Sequence, residues 1–85
     1  MESEAGAIHL RLFGPARVAA GCSADRFPAA TVGEVLAICI ARYGADLARL
    51  IPSCAVWVNG QTASPSTPVH TGDEVAILPP VSGGS

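Results

Sequence analysis

The apolar and polar positions change rhythm along this chain. From Ala7 to Phe13 they alternate, with Ile8, Leu10 and Leu12 on one side and His9 and Arg11 on the other. A period of two describes a half-buried strand. Gly14-Pro15-Ala16 reads as a break, because Gly and Pro punctuate local structure. Residues 17–27 are weakly patterned, and a short second strand is expected somewhere within them. The rhythm then lengthens: within 27–44, Val32, Val35, Leu36, Cys39, Ile40 and Tyr43 recur at helical spacing and form one apolar stripe. Thr31 is the expected N-cap, Glu34 three residues on completes a capping-box pattern, and Gly44 is the expected C-terminal stop. Residues 45–51 read as a short helical turn ahead of Pro52.

The period of two returns in "CAVWVNG" (54–60), a strand dense in β-branched and aromatic residues and closed by the turn dipeptide Asn59-Gly60. Polar residues 61–67 read as loop, Pro68-Val69 as a short edge segment, and 71–73 as a turn. "EVAIL" (74–78) is the last strand. It ends before Pro79, which has no N–H to give a sheet ladder. The first and last strands are the most apolar, which places them side by side in the sheet centre. A small sheet with one face covered by one main helix is an α+β domain. Residues 1–6 are expected to be a disordered extension, 7–78 the domain, and 79–85 an extended tail.

The tail "PPVSGGS" (79–85) has no helical period and no partner segment. Its two prolines favour an extended path, and Pro79 to Gly84 could span about 20 Å. Gly83 and Gly84 lack a Cβ, so their backbone fits narrow channels. One reading is a plain disordered tail or flexible linker. The other is a slim end delivered into another protein's active site. A C-terminal carboxylate is a poor electrophile. Adenylation by ATP would make it a mixed anhydride, and a sulfur nucleophile could then leave a thiocarboxylate. Glycine suits that chemistry, because nothing on its Cα hinders the acyl carbon.

Composition narrows the field. The 85 residues are 49% apolar, but fifteen are alanine, so Leu, Ile and Val must supply the large burial. Net charge is −2, and the five cations are dispersed arginines. No basic run offers a nucleic-acid surface. No stretch reaches the roughly 18 apolar residues of a membrane span, and "MESEAG" is no signal peptide. The expectation is a soluble, cytoplasmic protein. Cys22, Cys39 and Cys54 show neither CxxC nor metal spacing; Cys39 and Cys54 read as small buried hydrophobes. His9 and His70 lack metal-spaced partners and read as solvated surface. Asp73 and Glu74 could be paired carboxylates, but beside Gly72 they read as turn and strand-start residues. Trp57 fits the core or a partner-facing patch equally. Without lysine, the chain cannot receive its own C-terminus through a lysine isopeptide bond.

The segment "GDEVAILPPVSGG" (72–84), with Phe13-Gly14-Pro15-Ala16-Arg17 and Gly21, "FPAATVGEVL" (27–36) and "VWVNG" (56–60), resembles the ubiquitin-like sulfur-carrier family, especially the molybdopterin synthase small subunit. The resemblance covers Ile8 to Gly84. It implies a β-grasp fold with a mixed sheet. It also implies that an ATP-dependent activating enzyme adenylates Gly84 and that a sulfur donor converts it to a thiocarboxylate. Pro79, Pro80, Val81, Ser82 and Gly83 would then insert into a partner, the molybdopterin synthase large subunit or an equivalent sulfur acceptor. The carrier would bind no cofactor or metal and would not be a catalyst alone. Carriers for cysteine or thiamine synthesis share the fold and ending; a ubiquitin-like binding or modifier domain without sulfur is the alternative from another class. Two departures stand out. Val18 follows Arg17 where the family often has an acid, and Ser85 locks the Gly84 carbonyl in an amide. Ser85 would be removed by a protease, be an artefact of recombinant expression, or mark a protein that carries no sulfur.

Overall fold

The computed structural model describes residues 6–79. Its elements are β1 (Ala7–Leu12), α1 (Gly14–Ala20), β2 (Ala24–Pro28), α2 (Val32–Tyr43), α3 (Ala45–Leu50), a 3₁₀ turn (Ile51–Ser53), β3 (Ala55–Val58), β4 (Gln61–Thr62) and β5 (Glu74–Leu78). The sheet order is β2-β1-β5-β3-β4. β1 and β5 lie side by side and parallel, Leu10 opposite Val75 and Leu12 opposite Ile77. The other pairs are antiparallel. This is the mixed sheet of the β-grasp fold.

Alternation decides the core. Ile8, Leu10 and Leu12 of β1, Phe27 of β2, and Val75 and Ile77 of β5 are buried on one sheet face. Val32, Val35 and Cys39 of α2, Leu47 of α3 and Ala16 of α1 join them in the same cluster. The α2 stripe is narrower than its spacing suggests: Leu36 and Tyr43 are half-buried and Ile40 is 40% exposed.

Helix α2 begins as its sequence requires. Thr31 Oγ1 accepts from the Glu34 N–H at 3.2 Å. The Glu34 carboxylate reaches back to the Ala30 N–H at 2.8 Å, one residue before the cap. Loop carbonyls take the next two donors: Val32 N–H bonds Thr67 O at 2.9 Å and Gly33 N–H bonds Pro65 O at 2.8 Å. Thr31 and Pro68 form a β-bridge, so the Pro68 segment is an edge contact.

Three expectations change. Residues 14–20 are a helix, not a turn leading into weak strand. Pro15 sits in its first turn, where a missing N–H costs nothing. Gly21 closes it in the left-handed conformation (φ 77°), its N–H on Arg17 O. Only Ala16 is buried, so no apolar stripe announced this helix. The second strand, β2, lies at 24–28 and takes Phe27 and Pro28 from the stretch read as helix. Gln61 and Thr62 leave the predicted loop as a two-residue strand paired to Val58 and Trp57. No helix among the described residues is long and apolar enough to cross a membrane.

Candidate functional site: the root of the C-terminal tail

Strand β5 carries the chain toward its end, and Phe13 and Gly14, from the far end of the sequence, close around its exit. The Phe13 N–H donates to Ile77 O at 3.1 Å. Gly14 follows with φ 58°, a conformation that favours glycine. A Cβ placed on Gly14 would lie 3.2 Å from Pro79 Cγ. The backbone conformation favours glycine here, and a Cβ would press on Pro79 by a few tenths of an ångström. The two most distinctive segments, Phe13–Arg17 and the one ending in Pro79, meet at this point. Nothing in the pattern of either segment alone gave that contact. The usable signal was a Gly-Pro directly after a strand.

Of the predicted tail residues, Pro79 is half-buried at this root. Pro80, Val81, Ser82, Gly83 and Gly84, like Ser85, lie outside the described residues. Asp73 and Glu74 stand at the other end of β5, with the five-residue strand (about 17 Å) between them and Pro79. They form no carboxylate pair at the root.

Beside the root lies the uncovered sheet face. Register places Arg11, Ala76, Trp57 and Thr62 across it in one row and Leu78 beside Ala55 in the next. Phe13 is 39% exposed and Trp57 36%. The Arg11 guanidinium sits over the Phe13 ring, 5.8 Å from its centre, and also pairs with Glu74 at 3.4 Å. Both partners of that ion pair are half-exposed, so it adds little stability. Trp57 therefore belongs to the surface, as part of an apolar strip with Ala55, Ala76, Leu78 and Phe13. His9 and His70 are exposed.

Cys39 and Cys54 are poorly placed to act as nucleophiles. Burial pushes the Cys39 thiol up to about 12, and burial also raises Cys54. Both stay protonated near neutrality, and a thiol is a far weaker nucleophile than a thiolate. Cys54 lines an apolar groove of about 350 Å³ with Leu36, Ile51, Val56, Ala63 and Pro65. Among the described residues, no three His, Cys, Asp or Glu side chains are grouped to hold a metal.

Known proteins match this arrangement. The ThiS family profile matches residues 10–84. No curated protein sequence matches the chain. The crystal structure of SAMP1 from Haloferax volcanii is 30% identical, with a TM-score of 0.80 over 93% of this chain and 100% of that one. A chain in the complex of subunits 1 and 2 of molybdopterin-converting factor from Helicobacter pylori is 28% identical. Its TM-score is 0.67 over 92% of this chain and 99% of that one. A chain in the Amycolatopsis orientalis BexX/CysO complex is 25% identical, with a TM-score of 0.75 over 91% and 99%. Two of these relatives were solved with a partner protein. With a β-grasp core, a clamped tail root and a profile match running through Gly84, the chain belongs to the ThiS family of ubiquitin-like sulfur carriers.

Proposed function

We propose that this chain carries sulfur as a thiocarboxylate on Gly84, after Ser85 has been removed, and serves as the small subunit of molybdopterin synthase in molybdenum cofactor biosynthesis. An activating enzyme with ATP adenylates Gly84, and a sulfur donor then replaces AMP. The apolar strip of Phe13, Trp57, Ala76 and Leu78 docks on the partner, and Pro79 to Gly83 lead the acyl end into its active site. One observation carries the reading: the profile match extends through Gly84, while Phe13 and Gly14 grip the strand and proline from which that ending departs.

The likeness to a chain solved with a different partner, in the BexX/CysO complex, supports a second reading. In it the same thiocarboxylate feeds another acceptor, such as the cysteine synthesis that the sequence resemblance also allows. The test is the intact mass of the protein purified from its own cells, followed by incubation with candidate acceptors. Loss of serine with an oxygen-to-sulfur gain is the expected result. Conversion of a pterin precursor by a large-subunit partner then selects the first reading. Retained Ser85 and no sulfur, even beside an activating enzyme and ATP, would overturn both readings.

A further inference from the structure

The β3–β4 turn holds the dipeptide Asn59-Gly60. Both residues have positive φ, 51° and 84°, the signature of a type I′ hairpin turn. Asn followed by Gly is also the sequence most open to succinimide formation, because no side chain shields the glycine nitrogen. A Cβ on Gly60 would meet nothing within 4 Å, so the glycine faces open space.

The Asn59 carboxamide, however, is held on both sides. Its Nδ2 donates to Asp73 Oδ1 at 3.1 Å, and its Oδ1 accepts from the Glu74 N–H at 2.9 Å. Its own backbone N–H donates to Glu74 O at 2.8 Å. Asp73 is fixed in turn: Oδ2 accepts from the His70 N–H at 2.8 Å, and the Asp73 N–H donates to His70 O at 2.9 Å. The bond from Asn59, followed by that from His70, holds the Asp73 carboxyl below the usual carboxylate range.

We propose that Asn59-Gly60 is a deamidation site of this protein and that Asp73 is the residue that keeps it closed. In the reaction the Gly60 nitrogen gives its proton to solvent base and attacks Asn59 Cγ. The Cγ–Nδ2 bond breaks as the departing nitrogen takes a proton from solvent, and ammonia leaves. Water then opens the cyclic imide at either carbonyl, giving an aspartyl or isoaspartyl residue, with no oxidation or reduction. Attack requires the carboxamide to turn toward Gly60, which breaks the bonds to Asp73 and Glu74. The rate therefore follows the fraction of time this corner is locally open. The product replaces a donor facing Asp73 with a second carboxylate. The isoaspartyl form also lengthens the main chain between strands joined by only two register pairs. The modification thus weakens the pairing of β4 with β3 next to the turn.

The full chain is incubated in mildly alkaline buffer at physiological temperature. The peptide carrying Asn59 is followed by its amide-to-acid mass gain and by isoaspartyl labelling. The same rate in denaturant gives the open limit. Wild type is expected to react well below that limit, and Asp73→Ala about tenfold faster than wild type, the effect of losing a hydrogen bond to a charged group. Asp73→Asn, which keeps an acceptor, should fall between. Asp25→Ala, which loosens a different corner, should leave the rate near that of wild type. A folded wild type reacting at the open limit would overturn the proposal. So would Asp73 variants matching wild type, or Asp25→Ala accelerating as much as Asp73→Ala. Should Asp73→Ala not fold, Asp73→Asn against Asp25→Ala decides.

Discussion

The two ends of β5 are held by different physics. Where the strand begins, side chains reinforce the backbone: Asn59 bonds Asp73 and Glu74, and Asp73 caps the His70 turn. Where it ends, among the described residues, no side-chain hydrogen bond joins the ladder with Ala55: the Phe13 N–H bonds the backbone and Pro79 fits against Gly14. Polar bonds fix a position with directional force; shape fixes a direction and leaves no buried polar group to satisfy at the exit. The contrast suits the proposed role of a strand that is anchored in the domain at one end and leads to the carrier ending at the other.

The contrast can be broken from either end. The largest effect should come from deleting Gly83 and Gly84: thiocarboxylate formation, read by mass spectrometry, is expected to fall to zero while the thermal midpoint stays unchanged. Gly14→Val comes next. It forces a β-branched residue to positive φ and into Pro79, costing about 1–3 kcal/mol, and activation of the tail should fall with it. Gly21→Ala is the control, also strained at φ 77° but with nothing within 4 Å of its Cβ. It should destabilise by about 1 kcal/mol and leave activation intact. At the polar end, Asn59→Ala should cost about 1–2 kcal/mol in denaturant unfolding without changing activation.

The smallest effect lies at the sheet edge. Burial opposes ionisation of Asp25, but hydrogen bonds from Tyr43, the Arg26 N–H and Arg42 outweigh it and lower its pKa. The folded protein then holds that proton less tightly than the unfolded chain. Its stabilising contribution is complete above the ordinary carboxylate range and disappears as pH falls through the lower folded value. Asp25→Asn should lower stability modestly at neutral pH, where that contribution is complete, and flatten this part of the acid-unfolding curve, measured by circular dichroism, so that variant and wild type converge in acid.

What could be read from the sequence was what repeats or caps. Helix α2 was legible because Thr31, Glu34 and the stripe through Val32, Val35 and Cys39 agree. The pairing of β1 with β5 followed from their being the most apolar strands. Helix α1 was illegible because it buries a single alanine and opens on Gly-Pro, a pair shared by turns and helix starts. β4 was too short to show a period. At the tail root, the glycine and proline types were visible, but the contact between Gly14 and Pro79 joins segments 65 residues apart. The uncovered face needed sheet register, since period two alone does not say which of Trp57 and Val58 points inward.

The start of α2 is closed to anions. A helix beginning is a common seat for phosphate because its first N–H groups are unpaired. Here Val32 donates to Thr67, Gly33 to Pro65, and Glu34 to the Thr31 hydroxyl, with the Glu34 carboxylate beside them. This cradle is already filled by the protein's own oxygens and guarded by a negative charge. For a chain whose proposed chemistry passes through an acyl-adenylate, α2 offers the nucleotide no seat, and its phosphates would have to be held by the activating enzyme.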